Sequence, residues 1–173
     1  MSRRGGRPAA GKSAPTLVTL ALLGLTAALP AARAADSAGV KYSQGASTFQ
    51  SNCALCHGAG GAGVPSLAPP LLSYPARYAA SAEGRRQLAM TLLYGLFGEI
   101  TVGTAHFNSQ MPAFAQLDDA TLAALLNFVV FDLDHAPANL KPLAAAEITA
   151  ERSRVVDAAA VREHRKQLVP PGP

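Results

Sequence analysis

The sequence has few residues of several types. Among its 173 residues it has no tryptophan, only two cysteines, 15% charged residues and 6% aromatic residues. Two cysteines leave no ambiguity about which thiols can act together. No internal repeat is present, and no stretch alternates apolar and polar residues well enough to indicate a sheet. The main apolar run, from Leu17 to Leu29, is about 13 residues long, whereas a membrane-spanning helix needs roughly 20.

That apolar run lies in an N-terminal leader. Pro30 ends the run, and Ala32-Arg33-Ala34 fits the small-x-small rule of a cleavage site. The basic residues before the run are Arg3, Arg4, Arg7 and Lys12. We therefore predict a Sec signal peptide over residues 1–34 and export to the periplasm. The alternative is an uncleaved leader, which would anchor the protein in the membrane, facing the periplasm.

Cleavage of the leader changes the charge of the protein. The full chain carries a formal charge of +4, from 15 Lys and Arg residues and 11 Asp and Glu residues. Five of the basic residues and none of the acidic ones lie in residues 1–34. Ten basic residues then remain against 11 acidic ones, which is a net charge of −1. This balance gives no support to a nucleic-acid partner, so none is expected.

The two cysteines stand in the pentapeptide Cys53-Ala54-Leu55-Cys56-His57. This is the C-x-x-C-H pattern by which a c-type haem is attached covalently. On a helical turn both thiols share one face, so they can reach the two vinyl groups along one porphyrin edge. His57 shares that face and can place an imidazole nitrogen on the iron. The sequence therefore predicts one haem c, bound covalently through Cys53 and Cys56. Because such a macrocycle would take up part of the core, it is consistent with the absence of tryptophan.

The remaining residues, about 139 of them, are enough for one domain. Apolar spacing predicts three core helices: one from about Ser43 into the haem motif, one from about Ala82 to Leu96, and one from Asp118 or Asp119 to about Asp132. Between them we expect a glycine- and proline-rich loop at 58–70 and an irregular stretch at 99–115. The fold class is predicted to be all-α.

The predicted domain boundaries follow from these patterns. Residues 35–41 are expected to be a flexible lead-in, residues 42–135 the helical domain, and residues 136–173 a C-terminal extension. Two short helices are possible in the extension, from Ala144 to Arg154 and from Asp157 to Leu168. The sequence leaves open whether the extension packs on its own domain or docks on a partner.

These features resemble the class I monohaem cytochromes c over roughly Tyr42 to Leu133. The shared features are the G-x-x-x-F of Gly45 and Phe49 before the haem motif, a proline-bearing loop, Met111-Pro112, and Phe128 in the closing helix. The resemblance implies a cytochrome c fold, with three to four helices wrapped around the haem. Three segments, GVPSLAPPLL, YGLFGEITV and MPAF, are similar more narrowly to bacterial periplasmic cytochromes that serve dehydrogenases and oxidases.

The resemblance also implies the residues around the iron. Met111 is the candidate sixth ligand, because a thioether is a soft donor that favours ferrous iron. The carbonyl of Pro69, in a P-x-L with Leu71, is expected to accept a hydrogen bond from the second nitrogen of His57. The plain alternative is that the prolines only stiffen the loop. His106 is the rival sixth ligand.

Other basic residues have less defined expectations. Arg77, Arg85 and Arg86 are candidates for neutralising a haem propionate, with a plain surface role as the alternative. His164, in the sequence RE-H-RK, is expected to lie on a solvated face.

The function expected from these features is one-electron transfer in the periplasm. The protein would be a free carrier, or the haem subunit of a respiratory dehydrogenase or oxidase. Its partner would dock transiently at the exposed haem edge. With both axial positions filled, no site is open for a substrate, so we do not expect an enzyme. Two alternatives stay open: a haem enzyme or gas sensor with a labile sixth ligand, and a thiol oxidoreductase that uses Cys53 and Cys56. Membrane attachment is expected only with an uncleaved leader.

Overall fold

The structure is a computed structural model, and it describes residues 39–154 and 156–168. The predicted signal peptide at 1–34 and most of the predicted lead-in at 35–41 lie outside the described residues. Among the residues that are described, no helix is long and apolar enough to cross a membrane.

Helices account for most of the regular structure. In the described residues they are α1 (Ser43–Asn52), α2 (Ala54–His57), α3 (Pro75–Ala79), α4 (Ala82–Tyr94), α5 (Asp119–Asn127), α6 (Ala145–Arg152) and α7 (Ala158–Leu168). A π-helical segment, Phe128–Leu133, continues α5 directly. The helix-rich architecture confirms the predicted all-α class. It also confirms helices close to the three core positions that apolar spacing indicated.

The prediction that residues 99–115 are irregular, in a chain without strands, is wrong. Strand β1 (Leu96–Phe97) pairs antiparallel with β4 (Gln110–Met111), and β2 (Ile100–Val102) pairs antiparallel with β3 (Ala105–Phe107). Each strand has two or three residues, so apolar alternation has no length over which to show. The signal that was missed is Gly103, whose φ of +60° opens the two-residue turn between β2 and β3.

Helices α1 and α5 cross at a glycine. A Cβ added to Gly45 would lie 2.1 Å from the carbonyl oxygen of Ala124, so only glycine lets the two backbones come this close. Beside the crossing, the rings of Phe49 and Phe128 lie 5.4 Å apart at 53°. Such a tilted aromatic pair contributes about 0.5–1.5 kcal/mol beyond its burial. The crossing holds the haem motif, which follows α1, against the closing helix.

The C-terminal extension packs on its own domain, which answers the question that the sequence left open. Ile148 of α6 and Val161 of α7 are both fully buried. Arg85 of α4 donates two hydrogen bonds to the carboxylate of Glu147, at 2.6 and 2.7 Å. Helix α6 therefore lies against α4 and α5, and α7 lies against α4 and β1.

This packing corrects two expectations about charged side chains. His164 is not on a solvated face: its side chain is only 17% exposed, and it contacts α4. Arg85 and Arg86, candidates for a propionate, instead pair with carboxylates of α6. The Nε atom of Arg86 donates to Glu151 at 3.1 Å. These partners lie more than 60 residues away along the chain, and local pattern does not reveal contacts between segments so far apart.

Candidate functional site

Cys53 lies between α1 and α2, and Cys56 lies within α2. The amide of His57 donates to the carbonyl of Cys53 at 2.9 Å, and that of Cys56 donates to the same oxygen at 3.1 Å. This single helical turn places both thiols on one side of the chain. Cys53 is buried and Cys56 half-buried, whereas Leu55 between them is exposed. Burial, with a smaller effect from Cys56, raises the pKa of Cys53 to about 11.

His57 is buried, and the direction of its ring is set by one hydrogen bond. Its Nδ1 lies 2.9 Å from the carbonyl oxygen of Pro69. Because a carbonyl only accepts, this contact requires the proton to be on Nδ1, which leaves the lone pair of Nε2 free. Burial lowers the pKa of the ring, and the hydrogen bond to Pro69 opposes this in part. The ring is therefore neutral near pH 7, the form that binds a metal.

The loop after α2 brings the Pro69 carbonyl to the histidine. The amide of Gly63 donates to the carbonyl of His57 at 2.7 Å, and the amide of Leu71 donates to Gly61 at the same distance. Gly63 has a φ of +77°, and a Cβ there would lie 2.6 Å from the nitrogen of Pro70. The loop thus folds back on itself in a way that only glycine permits at this position.

Met111 is held by the end of α4. It pairs with Leu96 across β1 and β4, and the amide of Phe114 donates to the carbonyl of Leu92 at 2.7 Å. A Cβ on Gly95, whose φ is +76°, would lie 2.5 Å from the carbonyl oxygen of Met111. The methionine is therefore presented from a short strand that is fixed on both sides, not from a helix.

The predicted site residues meet around two adjoining cavities, both open to solvent. The residues that line both cavities are Cys53, His57, Pro69, Leu96, Ile100 and Met111. Cys56 lines the first cavity and Leu71 the second. The six predicted residues therefore border one continuous region.

A haem fits this region on three observations. The neutral imidazole of His57 and the thioether of Met111 are donors that suit haem iron. The second cavity is lined largely by apolar side chains, among them Leu88, Leu92, Leu125, Leu126 and Val129. The third observation is a buried hydroxyl: among the described residues, Tyr78 Oη has no hydrogen-bond partner, and Tyr78 lines the second cavity. A propionate carboxylate would accept a hydrogen bond from this hydroxyl.

Sequence reasoning missed Tyr78 and Arg165 at this end of the cavity. Arg165 lines the second cavity from α7, and its guanidinium donates to the carbonyl of Thr101 at 3.1 Å. A weak signal was available, because Arg165 is four residues after the buried Val161 and so shares its helix face. That signal points to the cavity only if α7 packs on the domain, which the sequence leaves open.

His106, the rival ligand, lies elsewhere. It is on β3 with its side chain 66% exposed, and its Nδ1 lies 3.0 Å from Glu99 Oε1. It does not line either of the two cavities.

Comparison with known proteins gives two findings. Residues 40–129 match the family described as cytochrome C oxidase, cbb3-type, subunit III. Two curated relatives are both cytochrome c-552 of Thermus thermophilus. Each is 37% identical over 118 residues, which covers 67% of this chain and 90% or 80% of the relative. The family match contains the haem motif, Pro69 and Met111.

Proposed function

We infer the function of this protein from its family: the chain belongs to the cytochrome c family described as subunit III of cbb3-type cytochrome c oxidase, and it is a monohaem class I cytochrome c. On that premise, we propose that it is a periplasmic one-electron carrier with His57 and Met111 as its axial ligands. Membership of the family establishes a covalently bound c-type haem and a role in electron transfer, not in catalysis. The observation that carries the finer proposal is that Cys53, His57 and Met111 border the same cavities.

Cys53 and Cys56 hold the haem through thioether bonds at the end of α1. The haem supplies the one-electron chemistry when bound, as its iron alternates between ferric and ferrous states. The crossing of α1 and α5 keeps the attachment point rigid, since Gly45 leaves no space between the two backbones. A rigid attachment limits rearrangement of the site when the charge changes.

His57 is proposed to bind the iron through Nε2. The hydrogen bond from Nδ1 to Pro69 fixes the tautomer and the ring plane, and it makes the ring a better donor. The role expected for Pro69 is thus carried by its carbonyl oxygen. Leu71 supports this arrangement from the loop, where its amide closes the turn on Gly61.

Met111 is proposed as the sixth ligand because it lines both cavities and lies on a fixed strand. A soft thioether favours the ferrous state and so raises the reduction potential relative to a second imidazole. With His57 and Met111 both bound, no coordination position is open to a substrate. The occupation of both axial positions is the physical reason to prefer an electron carrier over a haem enzyme or gas sensor.

The thiol oxidoreductase is disfavoured by the same site. Reactive cysteines of that class have a lowered pKa and lie in electropositive surroundings. Burial instead raises the pKa of Cys53 to about 11, which leaves the thiol protonated and a poor nucleophile at pH 7.

The proposed location is the periplasm, and the proposed partner is a respiratory dehydrogenase or a terminal oxidase. Support for the place comes from the predicted signal peptide at 1–34. Support for an oxidase comes from the description of the matched family. Leu67 and Gln110 are exposed residues of the first cavity's lining, and among the described residues that lining contains no Lys, Arg, Asp or Glu. Docking at this edge would therefore be through apolar and neutral polar contacts, in a small transient interface.

The axial ligation is tested by two matched substitutions, Met111→Leu and Met90→Leu, in the holoprotein. Both remove a thioether and nearly conserve volume, which costs less than about 1.5 kcal/mol of stability. Met90 is buried in the small cluster with Leu96 and Val161 and lines neither of the two cavities. We expect Met111→Leu to lose the low-spin spectrum, to bind carbon monoxide when reduced, and to lower the potential by about 59 mV or more, a tenfold change in the equilibrium.

Met90→Leu is expected to keep the parent spectrum and potential. If Met111→Leu retains the low-spin spectrum while His106→Ala loses it, the iron is ligated by two histidines and the proposal is wrong.

A further inference from the structure

One hydrogen bond joins the loop that orients His57 to the strand that carries Met111. The hydroxyl of Ser109 donates to the carbonyl oxygen of Leu67, although the two residues are 42 apart in the chain. Ser109 is two residues before Met111, and Leu67 is two residues before Pro69, whose carbonyl accepts the hydrogen bond from His57. All five of these residues line the first cavity. The two proposed axial ligands are therefore connected through two hydrogen bonds and a few residues of chain.

The turn that carries Leu67 is closed by its own backbone. The amide of Val64 donates to the carbonyl of Ala68 at 2.9 Å, and the amide of Ala68 donates to the carbonyl of Val64 at 3.0 Å. Between them, Ser66 has a φ of +63°, in the left-handed region that residues other than glycine rarely adopt. Such a conformation persists only where the surrounding contacts fix it. The turn thus presents the Leu67 carbonyl to Ser109 as a fixed acceptor.

The strand of Met111 is secured differently before and after the methionine. After it, the amide of Phe114 donates to the carbonyl of Leu92 at 2.7 Å. Before it, β4 follows a two-residue link from β3. Ser109 is the second residue of this link, and its hydroxyl ties the link to the turn at 64–68. Loss of that hydroxyl would leave the start of β4 held by its pairing with β1.

The hydrogen bond of Ser109 acts on local opening of the site. Ser109 is half-buried and Leu67 is exposed, so the bond contributes only modestly to the free energy of unfolding. A loop can open without unfolding of the domain, and this requires less free energy than global unfolding. When Met111 moves away with its strand, the bond to Leu67 breaks, so its net free energy counts fully in the opening equilibrium. One hydrogen bond changes such an equilibrium by about twofold to tenfold.

We propose that Ser109 is a positioning residue for the sixth ligand: its hydrogen bond to Leu67 ties the strand of Met111 to the loop that orients His57, and so lowers the fraction of time that Met111 spends away from the iron. The inference rests on the proposed function, because it requires Met111 as a ligand. Ser109 acts through this backbone contact and is not itself a ligand. Release of the bond would loosen both loops together.

The test is the binding of free imidazole to the ferric holoprotein at one pH, followed in the absorption spectrum. Imidazole is a nitrogen donor that binds haem iron, and it reaches the sixth position only while Met111 is away. Its apparent affinity is therefore proportional to the open fraction. We expect Ser109→Ala to bind imidazole about twofold to tenfold more tightly than the parent, the factor that corresponds to one hydrogen bond.

Two further variants are the controls. Ser109→Thr keeps the hydroxyl and is expected to bind imidazole as the parent does. Ser153→Ala removes a bond of the same kind, since the Ser153 hydroxyl donates to the carbonyl of Ala150 at 2.8 Å, but Ser153 lines neither cavity. It is also expected to match the parent. Equal affinities for Ser109→Ala, Ser153→Ala and the parent would overturn the proposal, whatever either substitution does to the free energy of unfolding.

Amide hydrogen exchange of the ferric holoproteins gives a second readout. In Ser109→Ala we expect faster exchange than in the parent both in the turn at 64–68 and in β4, because the bond links these two segments. Exchange in α5 is the internal reference and is expected to stay the same. Faster exchange in β4 alone would show that Ser109 acts within its own strand and not through Leu67, which would also overturn the proposal.

The outcomes separate this inference from the proposed function. If Met111→Leu loses the low-spin spectrum while Ser109→Ala binds imidazole as the parent does, only the role of Ser109 is wrong. If Met111→Leu keeps both the spectrum and the imidazole affinity of the parent, Met111 is not a ligand, and the proposed ligation and the role of Ser109 are both wrong.

Discussion

Tyr78 places an unpaired hydroxyl at the second cavity. Its hydroxyl is buried without a hydrogen-bond partner among the described residues. Burial raises its pKa, while the charge of Arg165 acts in the opposite direction. An unpaired buried donor costs roughly 1–3 kcal/mol. A haem propionate that accepts a hydrogen bond from this hydroxyl would remove that cost, and Arg165 would add a favourable charge.

We therefore expect Tyr78→Phe to lower the reduction potential of the holoprotein. A propionate without this donor keeps more of its negative charge near the iron, which favours the ferric form. The expected change is a few-fold in the ferric–ferrous equilibrium, measured by redox titration. Tyr42→Phe is the control, because the ring of Tyr42 stacks on Phe131 at 5.6 Å and lines neither cavity. Equal potentials for both variants and the parent would contradict the role of Tyr78.

Residues of the site differ in how far the sequence alone could reveal them. Cys53, Cys56 and His57 were predictable because their chemistry depends on spacing within one helical turn. The Pro69 hydrogen bond followed from a resemblance, since no local rule connects residues 12 apart across a loop. Tyr78 and Arg165 were missed because they meet only after α7 has packed on the domain. Long-range packing, not local preference, decides which side chains reach the cavity.

At the scale of elements, the contact between α1 and α5 sets the geometry of the haem attachment. Gly45 has no room for a side chain, and Phe49 and Phe128 fill the space beside it. Asp118 begins α5 by accepting a hydrogen bond from the amide of Thr121 at 2.7 Å, which is worth about 1 kcal/mol. The close approach of α1 and α5 therefore depends on a glycine at position 45 and on the start of α5 at Asp118.

Gly45→Ala is expected to destabilise the holoprotein by at least about 2 kcal/mol, because the added methyl group overlaps the backbone of α5. The matched control is Gly60→Ala, for which an added Cβ meets nothing within 4 Å. That variant should stay within about 0.5 kcal/mol of the parent. Chemical denaturation of the three holoproteins measures both changes. An unfolding free energy for Gly45→Ala equal to that of Gly60→Ala would show that the helices do not cross closely here.

Long helices were easier to predict from the sequence than short strands. Helices α4 and α5 repeat their apolar pattern over several turns, so their existence was clear from the sequence. The four short strands could not be predicted, because two or three residues are too few to show an apolar alternation. The helices of the extension were indicated, but their docking was not. It depends on ion pairs such as Arg85 with Glu147, whose members are 62 residues apart.

At the scale of the whole molecule, the haem motif, the Met111 strand and the C-terminal extension all contribute residues to the cavities of the haem site. The cavities beside His57 and Met111 are lined by residues from α1 through to α7. A covalent haem would complete this core, so holoprotein stability and function are linked in this account. The extension then has two roles: it closes one end of the cavity with Arg165, and it brings His164 into contact with α4.

The central claim is a single covalent haem whose iron has both axial positions filled by the protein. The most direct measurement is the absorption spectrum of the reduced, purified holoprotein with and without carbon monoxide, in buffer without denaturant. The account predicts a low-spin c-type spectrum, one haem per chain, that carbon monoxide leaves unchanged. A spectrum that shifts to a carbon monoxide complex under these conditions would mean an open or labile sixth position, and would contradict the assignment of the protein as an electron carrier with His57 and Met111 as ligands.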